Sequence, residues 1–267
     1  MNIKKIIKFA FTNLLNKTSA YKDKHKGDSC YIIADGTSIK HIQLKSLNNL
    51  ISFACNYIPF HNDFEKLNAK YCIMSAPFYF SPFFGYDNPI QKSHLYLMSK
   101  HYKKIIKKYP EKQFFLNLSN YPYINTNNTN FNFLNYPSIE NNEMFISNRI
   151  NCFAGAIRHS ISLAIYMGFK NIYLVGCDYT HSPSVAKHWY EKGKGLVFDL
   201  EDYQKDFFNI ASEFANITTV TVNGISEKLN YIKYQDLTGD LPSYRENVEL
   251  ISDVYLNDLK TWPDYTI

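Results

Sequence analysis

Between Asp178 and Tyr190 the chain places a carboxylate (Asp178), hydroxyls that include Tyr179, Thr180 and Tyr190, and two imidazoles (His181, His188). An imidazole, with an unperturbed pKa of about 6.5, can take a proton from a hydroxyl at neutral pH. Phenol and alcohol groups can donate to negative charge building on a departing oxygen. The plain alternative is a polar loop that happens to be rich in His and Tyr. Position favours chemistry. The run Ile172, Tyr173, Leu174, Val175 predicts a buried parallel strand stopped by Gly176, and ligands of open α/β sheets bind beyond the carboxyl ends of such strands.

Other strand ends bring polar groups to the same edge. The strand 30–34 runs into Asp35-Gly36-Thr37-Ser38. A small glycine turn there lets backbone amides and short hydroxyls approach a phosphate or ribose. It lacks a full G-x-G-x-x-G and a Walker lysine, so an ordinary turn with Ser38 as N-cap is the simpler reading. The strand 51–55 ends at Asn56, a donor and acceptor suited to base or sugar recognition, although a lone Asn is usually a turn residue. Asn151, Phe153, Ala154 and Gly155 precede a predicted helix 156–167, whose free first-turn N–H groups can bind an anion. Arg158, His159 and Ser160 share that first turn, and His159 reads as structural. Ser226, after a last strand 217–222, is either a helix cap or a nucleotide contact.

The elements that must position these residues alternate. Strands are predicted at 30–34, 51–55, 71–74, 113–118, 143–146, 172–175 and 217–222. Helices are predicted at 94–108, 156–167, 201–214 and 244–259. This pattern predicts an α/β, Rossmann-like, mostly parallel sheet flanked by helices. It forms one domain over 28–267, with an irregular insertion at about 77–142 and a lid-like segment at about 180–200. The stretch Asn120–Asn130 has turn or loop composition.

Composition narrows the class. With 267 residues, 45% hydrophobic and 20% charged, the chain can bury a full globular core. Its five cysteines (Cys30, Cys55, Cys72, Cys152, Cys177) show no paired spacing. They read as buried thiols of a reducing compartment, not as a disulfide framework or a zinc site. The net charge of +5 gives no reason to expect nucleic acid as a partner. Lys4, Lys5, Lys8 and Lys17 interrupt an apolar face of Ile3, Ile6, Ile7, Ala10 and Leu14, with Phe11 and Leu15 beside it. That disfavours a signal peptide or a membrane span. Residues 1–18 read as a basic amphipathic helix, either on an anionic membrane surface or docked on its own domain.

The order strand–Gly-Thr-Ser, strand–Cys-Asn, then Ser-Leu-Ala-Ile-Tyr-Met-Gly-Phe-Lys-Asn-Ile-Tyr-Leu-Val-Gly-Cys-Asp-Tyr (162–179) resembles the bacterial sialyltransferases of glycosyltransferase family 42. It is also similar to a related family of unknown-function domains that includes flagellin nonulosonic-acid transferases and an archaeal pterin pyrophosphokinase. The resemblance covers roughly 29–60 and 149–230. It implies that Asp35, Gly36, Thr37, Ser38 and Asn56 hold nucleotide and donor sugar, and that Asn151–Gly155 touches the donor. It sets Asp178 and Tyr179 in the strand-end motif and His188 as general base. The family's first loop reads Gly-Asn-Gly-Pro-Ser, where this chain has Ala34-Asp35-Gly36-Thr37-Ser38. Ser75 or Ala76 stands where the family keeps an asparagine, and the 151–155 loop differs in length.

The resulting expectation is a metal-independent, inverting transferase using a CMP-activated sugar acid and needing no other cofactor. Its acceptor would be a cell-surface glycan or lipid-linked saccharide, with the enzyme cytoplasmic and peripheral on the inner membrane face. Tyr179, Thr180 and Tyr190 are then hydroxyl donors, His181 the rival base and Ser226 a nucleotide contact. Two alternatives stay open: a pyrophosphokinase-like enzyme using the acidic group Asp199, Glu201 and Asp202, and a non-catalytic glycan-binding domain. Self-association is left open.

Overall fold

Strands buried on both faces need apolar side chains at successive positions, and β1 (Ser29–Ile33) shows the consequence. Cys30 and Ile32 enter one core while Tyr31 and Ile33 enter the other. The computed structural model describes residues 10–81, 89–135, 152–153, 155–198 and 205–259. Among them the main sheet also contains β2 (Ile51–Cys55), β3 (Ala69–Met74), β4 (Gln113–Asn117), β5 (Thr129–Asn132), β6 (Asn171–Val175), β7 (Asn216–Thr221) and β8 (Asn230–Lys233). Their order is β8-β7-β6-β1-β2-β3-β4-β5, and every pair is parallel. This is an α/β, Rossmann-like sheet with helices on both faces. One face carries α3 (Ala156–Tyr166) and α4 (Lys205–Ser212), through Ile161, Ala164, Phe208 and Ala211. The other carries α2 (Pro89–Lys108), through Met98, Tyr102 and Ile106, and the C-terminal segment.

Three expectations need correction. Residues 77–142 are not simply an insertion, because α2, β4 and β5 from that stretch belong to the main fold. The Asn-rich stretch runs directly into an edge strand. Its amides are satisfied in place: Asn128 Nδ2 donates to Ile106 O at 3.0 Å, Asn130 Nδ2 to Gln113 Oε1 at 3.2 Å and Asn132 Nδ2 to Thr18 Oγ1 at 3.1 Å. Composition reads such residues as turn formers because partners so distant in sequence are invisible to it. The predicted C-terminal helix is two, Asn247–Leu250 and Asp253–Leu259, broken where Ile251 bridges to His61. The predicted strand 143–146 lies outside the described residues, as do residues 1–9. What is described of the N-terminal helix, with α1 (Thr12–Asn16), lies against β5 with Leu15 in the core. No described helix is long and apolar enough to cross a membrane. Cys30, Cys55, Cys72 and Cys177 are buried free thiols, as expected; the Cys152 side chain is not among those described.

The chain proceeds outward from β1 to β5, then returns to lay β6 on the other side of β1. That makes the β1/β6 pair the topological switch point, where the two following loops diverge and leave a crevice. Here they also touch. Gly36 N donates to Gly176 O at 2.8 Å, and a Cβ on Gly36 would lie 2.4 Å from that oxygen and 2.6 Å from Asp178 Cγ. Gly176 has φ of +68°, and its own Cβ would lie 2.6 Å from Ala34 O. Neither position has room for a methyl group. We expect Gly36→Ala to destabilise the fold by ~2 kcal/mol or more in chemical denaturation, the range of an overpacked core substitution; a neutral result would mean that the crossing can widen.

Candidate functional site

The crevice beyond β1 and β6 is a cavity of about 360 Å³, lined by Asp35, Gly36, Asn56, Arg158, Tyr179 and His188 among others. Three strand ends of the sheet (β1, β2 and β6), the segment that follows β6 and the first turn of α3 thus contribute to one space.

His188 stands on the segment after β6. A two-stranded hairpin (Ser184–Ala186 with Leu196–Phe198) frames that segment, and Gly36 pairs with His188 in an isolated bridge. The neighbouring Trp189 is fully buried, and its backbone N–H donates to Asp35 O at 3.0 Å. The lid-like stretch is therefore anchored to the core through Trp189. The His188 ring stacks on Tyr190 at 5.1 Å and 9°, and Tyr190 lies 4.9 Å from the Tyr57 ring. His188 Nδ1 donates to Glu191 Oε1 at 2.5 Å, which leaves Nε2 as the nitrogen able to accept a proton. Burial lowers the His188 pKa, but the Glu191 hydrogen bond and the charges of Asp35, Glu191 and Asp178 outweigh it, and the net shift is upward. This is the orienting logic of a base held by a carboxylate.

A buried cation holds the turn that carries this pair. Lys40, fully buried, donates from Nζ to Glu191 O and to Gly193 O, the latter at 2.6 Å, with Glu246 4.0 Å away. Asn247 Nδ2 donates to Tyr190 O at 3.0 Å. Neither Glu191 nor Lys40 stands out in the sequence. The i,i+3 spacing of His188 and Glu191 is the one signal that could have found the first; the partners of Lys40 lie far along the chain.

The two aspartates differ in role. Asp35 is buried, accepts from Tyr57 N–H at 3.3 Å and faces the Asn56 side chain. The Trp189 indole N–H turns toward it without a hydrogen bond. Burial raises the Asp35 pKa to about 6, against the pull of His188. Asp178, expected among the catalytic groups, lines the cavity and also acts as a clasp. It accepts from Ser38 N–H at 2.8 Å and from the Ser38 hydroxyl, tying the β1 loop to the β6 loop. Burial raises its pKa and the Ser38 bonds oppose that rise.

Other expected contacts are spent within the protein. Thr37 Oγ1 donates to Ala186 O at 3.2 Å. Thr180 Oγ1 donates to Cys177 O at 2.7 Å, and Ser226 Oγ to Thr180 O at 2.6 Å. Tyr190 supports the His188 ring and is not part of the cavity lining. His181 lines a different cavity and is not brought to His188. His159 is structural, as read: Nε2 donates to Asn132 Oδ1 at 3.0 Å, Nδ1 accepts from Ser75 Oγ at 2.9 Å, and burial lowers its pKa to about 3. Gly36, Asn56, Gly155 and Tyr179 do line the main cavity. Asn151 and Ala154 lie outside the described residues, and the Phe153 side chain is not described.

Arg158 and Lys187 are cations in the lining of this space. Among the described residues the Arg158 guanidinium has no carboxylate partner, and its Nε is buried without a hydrogen bond. It sits in the first turn of α3, which carries no acidic residue. A helix amino terminus with an added unpaired arginine favours an anion, through the free N–H groups and the macrodipole together.

No protein-family model and no curated protein sequence matches the chain. Several solved structures are similar to it at low identity. The MAf glycosyltransferase from Magnetospirillum magneticum AMB-1 aligns with a TM-score of 0.47 and 11% identity over 95% of this chain. The alignment spans only 42% of that larger enzyme. The sialyltransferase CstII from Campylobacter jejuni, solved with the substrate analogue CMP-3FNeuAc, aligns at 0.44 and 12% over 88% of this chain and 99% of its own. The α-2,3-sialyltransferase Cst-I from the same organism gives 0.42 and 16% over 85% and 88%.

Two outcomes follow from the electrostatics. By NMR titration of the imidazole resonances, His188 should titrate above the ordinary value, and Glu191→Gln should lower it; an unchanged value in the variant overturns the pair. For Asp35, a folded pKa of about 6 against 3.8 means that the native state holds the proton more tightly. That stability is complete below about pH 4 and is lost as pH rises through about 6. Asp35→Asn should therefore gain melting temperature relative to the wild type as pH rises from about 4 to about 7; a constant difference would contradict the assignment.

Proposed function

We propose that the protein is a glycosyltransferase that moves a sialic-acid-like or Kdo-like sugar acid from a CMP donor to a cell-surface glycan, such as a lipooligosaccharide or capsule. The observation that carries this reading is a carboxylate-oriented histidine and an unpaired arginine lining one cavity at the switch point of a parallel sheet. The pair supplies a base, the arginine answers an anion, and the cavity is of the size that ligand sites occupy, about 300–1,000 Å³.

In this mechanism the acceptor hydroxyl gives its proton to His188 Nε2 as its oxygen attacks the anomeric carbon. The bond from that carbon to the phosphate oxygen breaks, and the electron pair leaves with CMP. Attack opposite the leaving group inverts the configuration. Glu191 holds the imidazole orientation and stabilises the imidazolium that forms. Arg158 balances the negative charge carried by the donor, whether carboxylate or departing phosphate. These groups complete the reaction without a metal ion. Residues 1–9, with Lys4, Lys5 and Lys8, would add attraction to an anionic membrane surface near lipid-linked acceptors.

His188→Ala should lower transfer by about 100-fold or more while CMP still raises the melting temperature. Stabilisation by CMP should survive EDTA. Stabilisation by ATP only with Mg²⁺ would favour a pyrophosphokinase-like reaction instead, and unchanged turnover in the variant would remove His188 as the base.

A further inference from the structure

The segment 35–40 holds the segment 186–193 at two separate places. At the first, Gly36 bridges to His188, Trp189 N–H donates to Asp35 O at 3.0 Å, and Thr37 Oγ1 donates to Ala186 O at 3.2 Å. These contacts fix the backbone of His188. At the second, Lys40 Nζ donates to Glu191 O and to Gly193 O, the latter at 2.6 Å. These fix the backbone of Glu191. Between the two anchors Glu191 N–H donates to His188 O at 3.1 Å, closing a four-residue turn that brings the two side chains within reach of each other.

The second anchor is a fully buried ammonium. Glu246 Oε2 stands 4.0 Å from it, beyond hydrogen-bond reach. Burial lowers the Lys40 pKa, against the pull of Glu246 and Glu191. An apolar side chain of similar volume would fill this space without that penalty. It could not bind two carbonyl oxygens of one turn at once. The His188 side chain is 47% exposed and that of Glu191 12%. The imidazole therefore takes its orientation from the Tyr190 ring and from Glu191, not from enclosure, and Glu191 is held through its backbone.

We propose that Lys40 is a positioning residue for His188: its ammonium fixes the backbone from Glu191 to Gly193 and so keeps the Glu191 carboxylate on His188 Nδ1. Two ways for Lys40 to act on the imidazole have opposite signs. Acting by charge alone, a cation beside Glu191 disfavours the imidazolium, so its removal would raise the His188 pKa. Acting through the turn, it maintains the contact with Glu191, so its removal lowers that pKa. The other charges acting on His188 are Asp35 and Asp178, with Arg158 and Lys187 in the same cavity lining. A substitution at Lys40 leaves all four in the chain.

The test follows the His188 imidazole by NMR titration of the full chain without substrate, its resonance assigned through His188→Ala. Lys40→Met keeps an unbranched chain and removes the donors. The His188 pKa should fall, in the same direction as in Glu191→Gln. In the double variant the two effects should not add, because both remove one contact. Lys40→Gln, uncharged and one atom too short to reach both carbonyls, should act alike, and it decides where Lys40→Met does not fold. Ile172→Ala, a core substitution at the amino end of β6, should lower stability and leave the titration unchanged. A rise or no change in the Lys40 variants overturns the assignment, as does an equal fall in Ile172→Ala. With a CMP-activated sugar acid as donor, Lys40→Met should lower kcat by about 10- to 100-fold with the donor KM little changed. The role in turnover rests on the transferase reading, whereas the titration does not. A fall in the titration with no transfer by the wild type leaves the positioning standing and sinks that reading. Transfer by the wild type with an unchanged titration in the variants does the reverse.

Discussion

Two backbones in contact at Gly36 and Gly176 govern this molecule. The loops leaving β1 and β6 touch at the one place in the sheet where they also diverge, so the crevice above them has a fixed floor. A side chain at either glycine would bring its Cβ to within 2.4 or 2.6 Å of a backbone oxygen, so the loops would have to move apart. Their contact sets the Asp178 carboxylate on the Ser38 amide and hydroxyl. It also brings the His188 segment down onto Asp35 through the Trp189 N–H.

Polar groups buried nearby do a different kind of work. Lys40 and Asn247 donate to carbonyls of the turn that follows His188, and the Trp189 backbone amide donates from that turn to Asp35 O. Burying an ammonium is unfavourable unless its hydrogen bonds are satisfied, and here the carbonyls of one turn satisfy it. The turn gains a defined shape, and the His188–Glu191 pair stands on that shape. Among the described residues the Arg158 guanidinium in the main cavity has no carboxylate partner.

The main strands were legible because parallel strands buried on both faces need uninterrupted apolar runs, as at 30–33, 51–55 and 172–175. The central helix was legible from its apolar face. The edge strand at Thr129–Asn132 was hidden, since its asparagines are satisfied by Gln113, Thr18 and His159, partners that no local pattern reveals. The site shows the same division. His188, Asp35, Gly36, Asn56 and Tyr179 could be placed at a sheet edge from their strand ends alone. The structural use of Asp178, Thr37 and Ser38 could not, because polar groups beside a crevice look the same in sequence whether they face it or each other.

By itself, the sequence determined the class of fold and the edge of the sheet at which chemistry would gather. Apolar periodicity and chain punctuation are local properties, and the topology of alternating strands and helices follows from them. Only the tertiary structure decided which polar groups meet. It paired His188 with Glu191, set Lys40 under their turn, left Arg158 without a carboxylate partner among the described residues and sent His181 to a separate cavity. Those outcomes depend on distances of a few ångströms between segments far apart in the chain, and spacing along a sequence carries no such information.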